Sequence, residues 1–436
     1  MKTDASKLLQ IGNYIFEDAP SYDELVHCMR CGFCLPTCPT FSLTKMEISS
    51  PRGRLALMRA VSEQQAEVSI EFAEAMNFCL GCLACQTACP AGVPFGHLIE
   101  KARQQVENKQ KTKRPHLLNI LRNLLVKKVL YGPHGLNPFM PFLRLYQALH
   151  IDKLNLSRLI PGPMGGWERM LPKVPLKSTH SSLGDFVAAI PPVRGRVGLL
   201  TGCIENNLLS GMGIATANVL SKNGFEVVIP KNQVCCGALP AHIGDLEIAR
   251  EQARRNIEVF EAAGVEIVIS DAAGCSAQLK EYGHLLSEDP EYFERAIRFS
   301  KNAQDITEFL SEHFPLRKGM RSLNLRVTYD DPCHLIHGQG VYLQPRELLI
   351  SIPGIELIEL PESSWCCGSA GTYNLTHTQT ANDLLKRKMD HLRKLDVDVL
   401  ATANTGCYIQ LAYGVSEQNL HIEVCHIVEL ISRAYK

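Results

Sequence analysis

The feature that most constrains this chain is a group of four cysteines that occurs twice near its start. The first group reads Cys28-Met-Arg-Cys31-Gly-Phe-Cys34-Leu-Pro-Thr-Cys38-Pro39, and the second reads Cys79-Leu-Gly-Cys82-Leu-Ala-Cys85-Gln-Thr-Ala-Cys89-Pro90. Each cysteine recurs 51 positions later. Paired zinc sites separate their C-x2-C pairs by about a dozen residues or more, whereas here three thiols follow one another at short gaps. The spacing therefore predicts iron–sulfur cubes, with structural zinc as the alternative.

The two groups are expected to exchange ligands. In proteins with two such cubes, the last cysteine of each group binds the cluster of the other group. This rule predicts two [4Fe–4S] clusters. Gly32 and Gly81 are expected to let backbone N–H groups approach the cluster sulfides. The first cluster is assigned to Cys28, Cys31, Cys34 and Cys89, and the second to Cys79, Cys82, Cys85 and Cys38.

A second repeat, with a period of 130 to 132 residues, occupies the C-terminal half. Each of its cysteine groups follows an apolar run with strand character, and helix-length segments such as Leu246–Ala263 and Thr380–Leu395 lie between the runs. The predicted strands are Arg196–Thr201, Phe225–Ile229 and Val265–Ser270 in the first repeat, and Asn324–Tyr329, Ile355–Leu360 and Val397–Thr402 in the second. Alternating strands and helices predict two α/β domains with largely parallel sheets.

The eight cysteines of this repeat all follow the carboxyl ends of predicted strands, which is the edge where open α/β sheets bind ligands. We therefore expect each set of four to converge. A further cluster or zinc in at least one set is favoured, and buried thiols without metal are the alternative. The two sets are Cys203, Cys235, Cys236 and Cys275, and Cys333, Cys366, Cys367 and Cys407.

Histidines near these cysteines are weaker candidates. His334 and His337 follow Cys333 and are compatible with metal binding, but packing is the favoured interpretation. Cys425 and His426 lie in an apolar stretch, where packing is also expected.

The chain as a whole is predicted to be a mixed α+β and α/β fold. Ser50 followed by Pro51 predicts the start of a helix between the two cysteine motifs. The expected domains are a mostly helical ferredoxin-like domain with two [4Fe–4S] sites at 1–105, a Pro- and Gly-rich connector with some helix at 106–192, and α/β domains at 193–318 and 319–436.

Composition and charge argue against several classes of function, among them nucleic-acid binding. The chain has 45 Lys and Arg against 45 Asp and Glu among 436 residues, and this balance does not favour nucleic-acid binding. Its start lacks a secretory apolar core and no run of 18 apolar residues occurs, so a cytoplasmic chain with reduced thiols is expected. A basic, apolar helix predicted within 109–130 fits a docking helix, which we favour, or peripheral contact with the inner face of the cell membrane.

The C-terminal repeat is similar to the CCG cysteine-rich domains of heterodisulfide reductases and related oxidoreductases. Behind two ferredoxin-type motifs, the arrangement most closely resembles the iron–sulfur subunits of bacterial glycolate oxidases over nearly the full length. Lactate-utilisation proteins and anaerobic glycerol-3-phosphate dehydrogenase subunits are similar but less close. The full CCG pattern ends in C-x2-C, whereas Gln278 and Gln410 stand at the last position here. Phrases that carry the resemblance are Ser50-Pro-Arg-Gly-Arg54 and Cys366-Cys-Gly-Ser-Ala-Gly-Thr-Tyr373.

The resemblance implies an electron-transfer subunit of a glycolate oxidase complex. The sequence contains no dinucleotide fingerprint, P-loop or nucleophile elbow, so no catalytic residues are expected and the chain is not an enzyme alone. Oxidation of an alcohol removes two electrons, which calls for a cofactor such as FAD before one-electron clusters. FAD-containing partner subunits that oxidise glycolate or D-lactate to glyoxylate or pyruvate are therefore expected, with a quinone or another electron acceptor.

Other readings remain open at this point. The chain is also compatible with a lactate-utilisation, glycerol-3-phosphate dehydrogenase or heterodisulfide-reductase-like complex. Outside enzymes, an iron–sulfur redox sensor is the alternative, although no DNA-binding motif accompanies the cysteines.

Overall fold

The computed structural model describes residues 12–15, 18–115, 136–151 and 167–436. The chain divides into two compact units, one of Met1–Asn123 with Leu239–Ala249 and the other of Leu124–Ala238 with Arg250–Lys436. The limits expected for the four domains stay a prediction. Most of the basic helix predicted within 109–130, from residue 116 onward, lies outside the described residues.

The first unit is helical in its described part. The predicted start at Ser50 is confirmed, since its hydroxyl accepts a hydrogen bond from the Gly53 N–H and Pro51 occupies the first turn. Apolar side chains of the helices, among them Met58, Met76 and Leu98, form the core of this unit. The helices are α1 Tyr22–Val26, α2 Pro39–Thr44, α3 Pro51–Ser62, α4 Ile70–Asn77, α5 Ala84–Thr87 and α6 Phe95–Lys113, with a 3-10 turn at Glu47–Ser49.

The rest of the described chain alternates strands and helices. The strands are β1 Phe186–Val187, β2 Gly195–Leu199, β3 Phe225–Val228, β4 Ile267–Ser270, β5 Ala303–Asp305, β6 Leu325–Tyr329, β7 Ile355–Leu357, β8 Val399–Thr402 and β9 Glu423–His426. The helices are α7 Met140–Ala148, α8 Trp167–Met170, α9 Thr179–Leu183, α10 Glu205–Leu208, α11 Ser210–Lys222, α12 Ala238–His242, α13 Leu246–Ala262, α14 Ala273–Lys280, α15 Tyr282–Leu285, α16 Phe293–Asn302, α17 Ile306–Glu312, α18 Cys333–Gln339, α19 Leu343–Ile350, α20 Tyr373–Thr376, α21 Thr378–Leu392, α22 Thr405–Glu417 and α23 Ile427–Ala434. A 3-10 turn covers Asn137–Phe139.

Two sheets form, as the repeat predicts. The first has the order β1-β3-β2-β4-β5 and the second β7-β6-β8-β9. Apart from β1, which is antiparallel to β3, the paired strands are parallel. This arrangement confirms the predicted mixed fold with parallel sheets.

The six predicted strands all form, with ends that differ by a few residues. The largest difference is at Ile355–Leu360, where the strand ends at Leu357. Three edge strands, β1, β5 and β9, were not predicted, because the prediction rests on apolar runs that precede the repeated cysteine groups, and none of these groups follows the three strands.

Both sheets of the second unit contribute to one apolar core. Val197 and Leu199 of β2 and Val327 and Tyr329 of β6 belong to the same cluster of buried residues, together with side chains of α11 and α23. The two repeats are therefore packed against each other rather than strung as independent domains. None of the described helices combines the length and apolarity needed to cross a membrane.

A buried aspartate caps helix α17 at the end of β5. The Asp305 carboxylate accepts hydrogen bonds from the Thr307 N–H and hydroxyl, at 2.9 and 2.6 Å, and from the Ser276 hydroxyl at 3.0 Å. Burial raises the pKa of Asp305 from 3.8 to about 6, against the opposing effect of these donors.

Asp305→Asn should change the pH dependence of stability. Because the folded-state pKa is the higher one, the folded chain binds more protons between pH 4 and 6, and this contribution to stability is lost as pH rises through about 6. Asparagine keeps a cap but does not titrate. From pH 4 to 7, the free energy of unfolding of the variant should therefore rise relative to the wild type by about 2 kcal/mol. Urea unfolding at several pH values measures this difference, and parallel curves would contradict the assignment.

Candidate metal centres

The eight N-terminal cysteines line two cavities in the first unit. The larger, of about 440 Å³ including its open mouth, is bordered by Cys85 as well as by the four cysteines assigned to the first cluster. The smaller, of about 310 Å³, is bordered by the four cysteines assigned to the second. Each cavity thus receives its fourth cysteine from the other motif. The lining cysteines are Cys28, Cys31, Cys34 and Cys89 in the first cavity and Cys38, Cys79, Cys82 and Cys85 in the second.

The loops of the two motifs have the same backbone conformation at equivalent positions. Arg30 and Gly32 have φ values of 56° and 88°, and their counterparts 51 positions later, Gly81 and Leu83, have 67° and 63°. Left-handed residues within a turn direct successive N–H groups inward and form a nest for an anion. The Gly81 N–H already points at the Cys79 sulfur, at 3.3 Å.

This conformation costs energy that a bound anion would offset. Arg30 and Leu83 are not glycines, and a left-handed backbone costs such residues about 1–2 kcal/mol each. The sequence draws attention to Gly32 and Gly81, but these glycines are not at equivalent positions. In the first loop the larger residue, Arg30, precedes Gly32, whereas in the second loop Gly81 precedes the larger residue, Leu83.

A fully buried arginine positions Cys38. The Arg54 guanidinium donates to the Ser49 carbonyl at 2.7 Å, the Ala75 carbonyl at 2.8 Å and the Thr40 hydroxyl at 3.2 Å. The Cys38 thiol in turn points at the Ser49 carbonyl, at 3.7 Å, and contacts the Thr40 hydroxyl at 3.3 Å. Arg54 therefore holds in place the two groups that contact the Cys38 sulfur.

A second arginine, Arg103 on α6, holds the loop of the second cavity. Its guanidinium donates to the carbonyls of Met76, at 3.1 Å, and of Cys79. It also donates to the His242 carbonyl at 2.8 Å, within the segment Leu239–Ala249. The loop of Cys79 is therefore tied to α6 and, through the same guanidinium, to this distant segment.

Further contacts join the segment Leu239–Ala249 to α6. The His242 ring lies 3.0 Å from the Glu100 carboxylate, and Lys111 pairs with Asp245 at 3.1 Å. Burial raises the pKa of Glu100, but the hydrogen bond and charge of His242 outweigh it, so the pKa lies below its usual value. The carboxylate of Glu100 is thus kept charged within the first unit.

The C-terminal cysteines form two quartets, each linked by sulfur contacts. In the first quartet the Cys203 and Cys235 sulfurs are 3.6 Å apart, and further contacts join Cys235 to Cys236 and Cys236 to Cys275. Among the described side chains, no three of His, Cys, Asp and Glu surround a common point as a single metal ion requires. The second quartet has the same order of contacts, Cys333, Cys366, Cys367 and Cys407.

The two quartets differ in the acidity of their thiols. The hydrogen bond with Cys235 lowers the pKa of Cys236, the equivalent of Cys367, but contact with Cys275 and burial outweigh it, so the pKa of Cys236 lies well above its usual value. Hydrogen bonds from Cys366 and Cys407 hold the pKa of Cys367 well below its usual value, and the charge of Lys388 adds to this effect. The electrostatic surroundings of the equivalent sites are therefore not the same.

The remaining candidates have mainly structural contacts. Cys425 is buried on β9, and the His426 ring caps α23 by accepting a hydrogen bond from the Val428 N–H at 3.3 Å. Burial lowers the pKa of His337. Gln410, where the full CCG pattern has a cysteine, is buried and accepts a hydrogen bond from the Asn374 amide at 3.0 Å.

An asparagine that the sequence analysis missed connects the two quartets. The Gly274 N–H, beside Cys275, donates to the Asn404 side-chain oxygen at 3.2 Å. The Asn404 amide nitrogen donates to the Cys407 sulfur at 3.3 Å. The only signal in the sequence is that Asn404 precedes Gly406-Cys407 by a short gap, which is not distinctive by itself.

Comparison with known proteins identifies the family. Family models match residues 24–93 as a 4Fe-4S dicluster domain and residues 197–280 and 327–412 as a cysteine-rich domain, CCG. The probable glycolate oxidase iron-sulfur subunit of Bacillus subtilis (strain 168) is 35% identical over 445 residues, covering 99% of this chain and 98% of the relative. The chain belongs to the family of glycolate oxidase iron–sulfur subunits. As a member of this family it is an electron-transfer subunit that carries iron–sulfur clusters.

Other relatives agree with this membership. The glycolate oxidase iron-sulfur subunit of Escherichia coli (strain K12) is 34% identical over 412 residues, 93% of each chain. Lactate utilization protein A of Bacillus licheniformis is 31% identical over 54% of this chain and 99% of its own length. A crystal structure of a hypothetical protein from Helicobacter pylori covers 77% of each chain at a TM-score of 0.42 and 11% identity, which is too distant to define the fold of this glycolate oxidase-type subunit.

Arg103→Gln should impair the second N-terminal centre and spare the first. The variant removes the donor shared by the Met76 and Cys79 carbonyls, so the loop loses its anchor to α6. Iron and acid-labile sulfide should each fall by about four per chain, the content of one cube. Lys109→Gln, on the same helix but bonded to the Val68 carbonyl, is the matched control and should keep both centres. Full iron content and an unchanged EPR spectrum in Arg103→Gln would refute this role.

Proposed function

We propose that this chain carries electrons from a flavoprotein subunit that oxidises glycolate, or D-lactate, to a quinone-type acceptor. The observation that carries the proposal is the pair of adjoining cavities, one bordered by five cysteines and the other by four, with Cys85 bordering both. The glycolate oxidase subunits of Bacillus subtilis and Escherichia coli, similar over nearly the whole length, support the choice of substrate.

The residues of both cavities fit a thiolate-bound anionic group. The nests at Gly32 and Gly81 supply inward N–H groups, and Arg54 and Arg103 supply buried positive charge. A [4Fe–4S] cluster bound in each cavity supplies transfer of one electron at a time. The proposed ligands are Cys28, Cys31, Cys34 and Cys89 for one cluster and Cys38, Cys79, Cys82 and Cys85 for the other.

The two sites differ in their access to a partner. Cys31 is exposed, and the neighbouring side chains of Met29 and Phe33 are each 67% exposed. Cys79 and Cys85 of the other cavity are buried. The first site therefore offers the surface through which electrons are exchanged with another protein.

The flavin is assigned to the partner subunit. Hydroxy-acid oxidation releases two electrons together, and a flavin accepts them as a pair before one-electron carriers remove them. In this proposal, the region at 1–105 carries the clusters, and the two CCG domains lie at 193–318 and 319–436. A quinone acceptor implies peripheral contact of the complex with the cell membrane.

Cys34→Ser tests this function in the complex with its flavoprotein partner. Loss of one thiolate of the first site should remove one cluster and reduce electron delivery to a quinone analogue by at least about tenfold, since the path to the acceptor is interrupted. Glycolate should still reduce the partner flavin, because that step does not involve this chain. Stopped-flow absorbance of the flavin and of the acceptor separates the two steps.

Cys425→Ala is the matched control, since Cys425 is a buried cysteine outside the four groups. It should leave both steps unchanged. Unimpaired acceptor reduction in Cys34→Ser would sink the proposal, and so would loss of flavin reduction by glycolate in a fully assembled complex.

A further inference from the structure

Helix α7 of the second unit is attached to the rest of the fold by one side. The Met140 side chain on this side is buried. The Arg144 guanidinium donates to the Pro175 carbonyl at 2.8 Å, and the Gln147 amide donates to the Pro172 carbonyl at 3.0 Å. Residues spaced by four and three positions share one side of a helix. This side of α7 is therefore fixed against the segment that precedes α9.

The opposite side of α7 is apolar and exposed. Phe142 is 72% exposed, Leu145 58% and Leu149 61%. Their spacing of three and four residues places them together, about half a turn away from Met140. Leu176, in the segment attached to α7, is 85% exposed. Large apolar side chains that are grouped on a surface in this way mark a place of contact with another molecule.

The stretch of sequence around α7 has an excess of positive charge. Residues 124–184, which belong to the second unit, contain eight Lys and Arg but two Asp and Glu, whereas the whole chain is balanced. Lys173 and Lys177, on either side of Leu176 in sequence, are both exposed. One of the two acids, Glu168, accepts a hydrogen bond from the Tyr146 hydroxyl. Exposed apolar side chains and basic residues are thus combined in one short region.

This combination fits an anionic lipid surface better than a protein or a nucleic acid. The core of a protein interface is depleted in lysine, and nucleic acids are bound mainly through phosphate contacts that need no exposed Phe or Leu. At a bilayer surface, apolar side chains insert below the headgroups while Lys and Arg meet the anionic lipids. Helix α7 has nine residues, too few to cross a bilayer, so its contact is with the surface.

We propose that the outer side of α7, formed by Phe142, Leu145 and Leu149, binds the surface of a membrane that contains anionic lipid. Lys173 and Lys177 supply the electrostatic attraction. The inference rests on the proposed function, in which the acceptor is of the quinone type and the complex contacts the cell membrane. It adds to that function the part of the chain that makes the contact.

Flotation of the assembled complex with lipid vesicles tests the proposal. The wild-type complex should bind vesicles of phosphatidylcholine mixed with phosphatidylglycerol. It should bind vesicles of phosphatidylcholine alone at least about tenfold more weakly, because these carry no net negative charge. Salt at about 0.5 M should weaken binding to the mixed vesicles, since the attraction of exposed charges is screened.

The double variant Phe142→Gln with Leu145→Gln tests the apolar side of α7. Its affinity for the mixed vesicles should fall at least about tenfold, because two side chains no longer gain from leaving water. Leu343→Gln with Ile350→Gln is the matched control, since it removes two apolar side chains, 60% and 65% exposed, from α19 of the same unit. The control should bind as the wild type does. Thermal unfolding checks that both variants are folded.

The double variant Lys173→Gln with Lys177→Gln tests the charge. Its affinity for the mixed vesicles should fall about fivefold for each lysine replaced. Its weak binding to vesicles of phosphatidylcholine alone should not change, because the apolar side of α7 is intact.

Failure of this inference can be told apart from failure of the proposed function. Vesicle binding is measured without substrate, so it does not depend on electron transfer. Conversely, the variant with Phe142→Gln and Leu145→Gln should reduce a water-soluble quinone analogue at the wild-type rate, because neither residue borders a cluster cavity.

Three results would overturn the proposal. The first is a wild-type complex that does not bind the mixed vesicles, or that binds both kinds of vesicle equally. The second is wild-type affinity for the mixed vesicles in the variant with Phe142→Gln and Leu145→Gln. The third is loss of the flavoprotein subunit from that variant in size-exclusion chromatography, which would assign this side of α7 to a protein interface.

Discussion

The N-terminal unit depends on a shared arrangement in which each cysteine motif contributes a cysteine to the cavity formed mainly by the other motif. Cys89 borders the cavity formed mainly by the first motif, and Cys38 borders the cavity formed by the second. Because each cavity takes residues from both motifs, the intervening helices α3 and α4 must pack so that the two loops meet. The buried Arg54 serves this arrangement from within α3, bonding residues on either side of the helix. The packing of these helices and the positions of the thiols are therefore linked.

In the C-terminal half, β-strands rather than helices bring the cysteines together. Three loops at the carboxyl ends of parallel strands bring four sulfurs together, and duplication provides two such sets in one core. Asn404 then joins the loop of Cys275 to the sulfur of Cys407. The backbone has been kept between the repeats while the buried charges have diverged. The second repeat, for example, buries an ion pair of Lys388 with Asp330, whereas the equivalent positions of the first repeat are Asn256 and Leu200.

Much of this architecture could be predicted from cysteine spacing and apolar runs. Cysteine spacing and apolar runs both reflect structure that is local in the chain or repeated at a fixed period. For this reason the six main strands, the helix start at Ser50 and the four cysteine sets could be predicted. Contacts between distant segments, such as Arg103 with the His242 carbonyl, leave no local pattern. Lys388 did leave a signal, since it occupies the buried stripe of α21 between Leu385 and Leu392. A charged residue at a core position of an amphipathic helix is a clue to a buried partner.

The segment Leu239–Ala249 follows the Cys235-Cys236 loop in sequence, yet it belongs to the unit that contains the N-terminal motifs. Gly244 packs so closely on α6 that a β-carbon there would lie 2.4 Å from the backbone of Arg103. A gene cut between the ferredoxin-type region and the CCG region would therefore yield a first product with one face of α6 stripped of its partners. In evolutionary terms, the fusion of the two regions has become hard to reverse, because fission would leave Glu100, Arg103 and Lys111 of that helix without these partners.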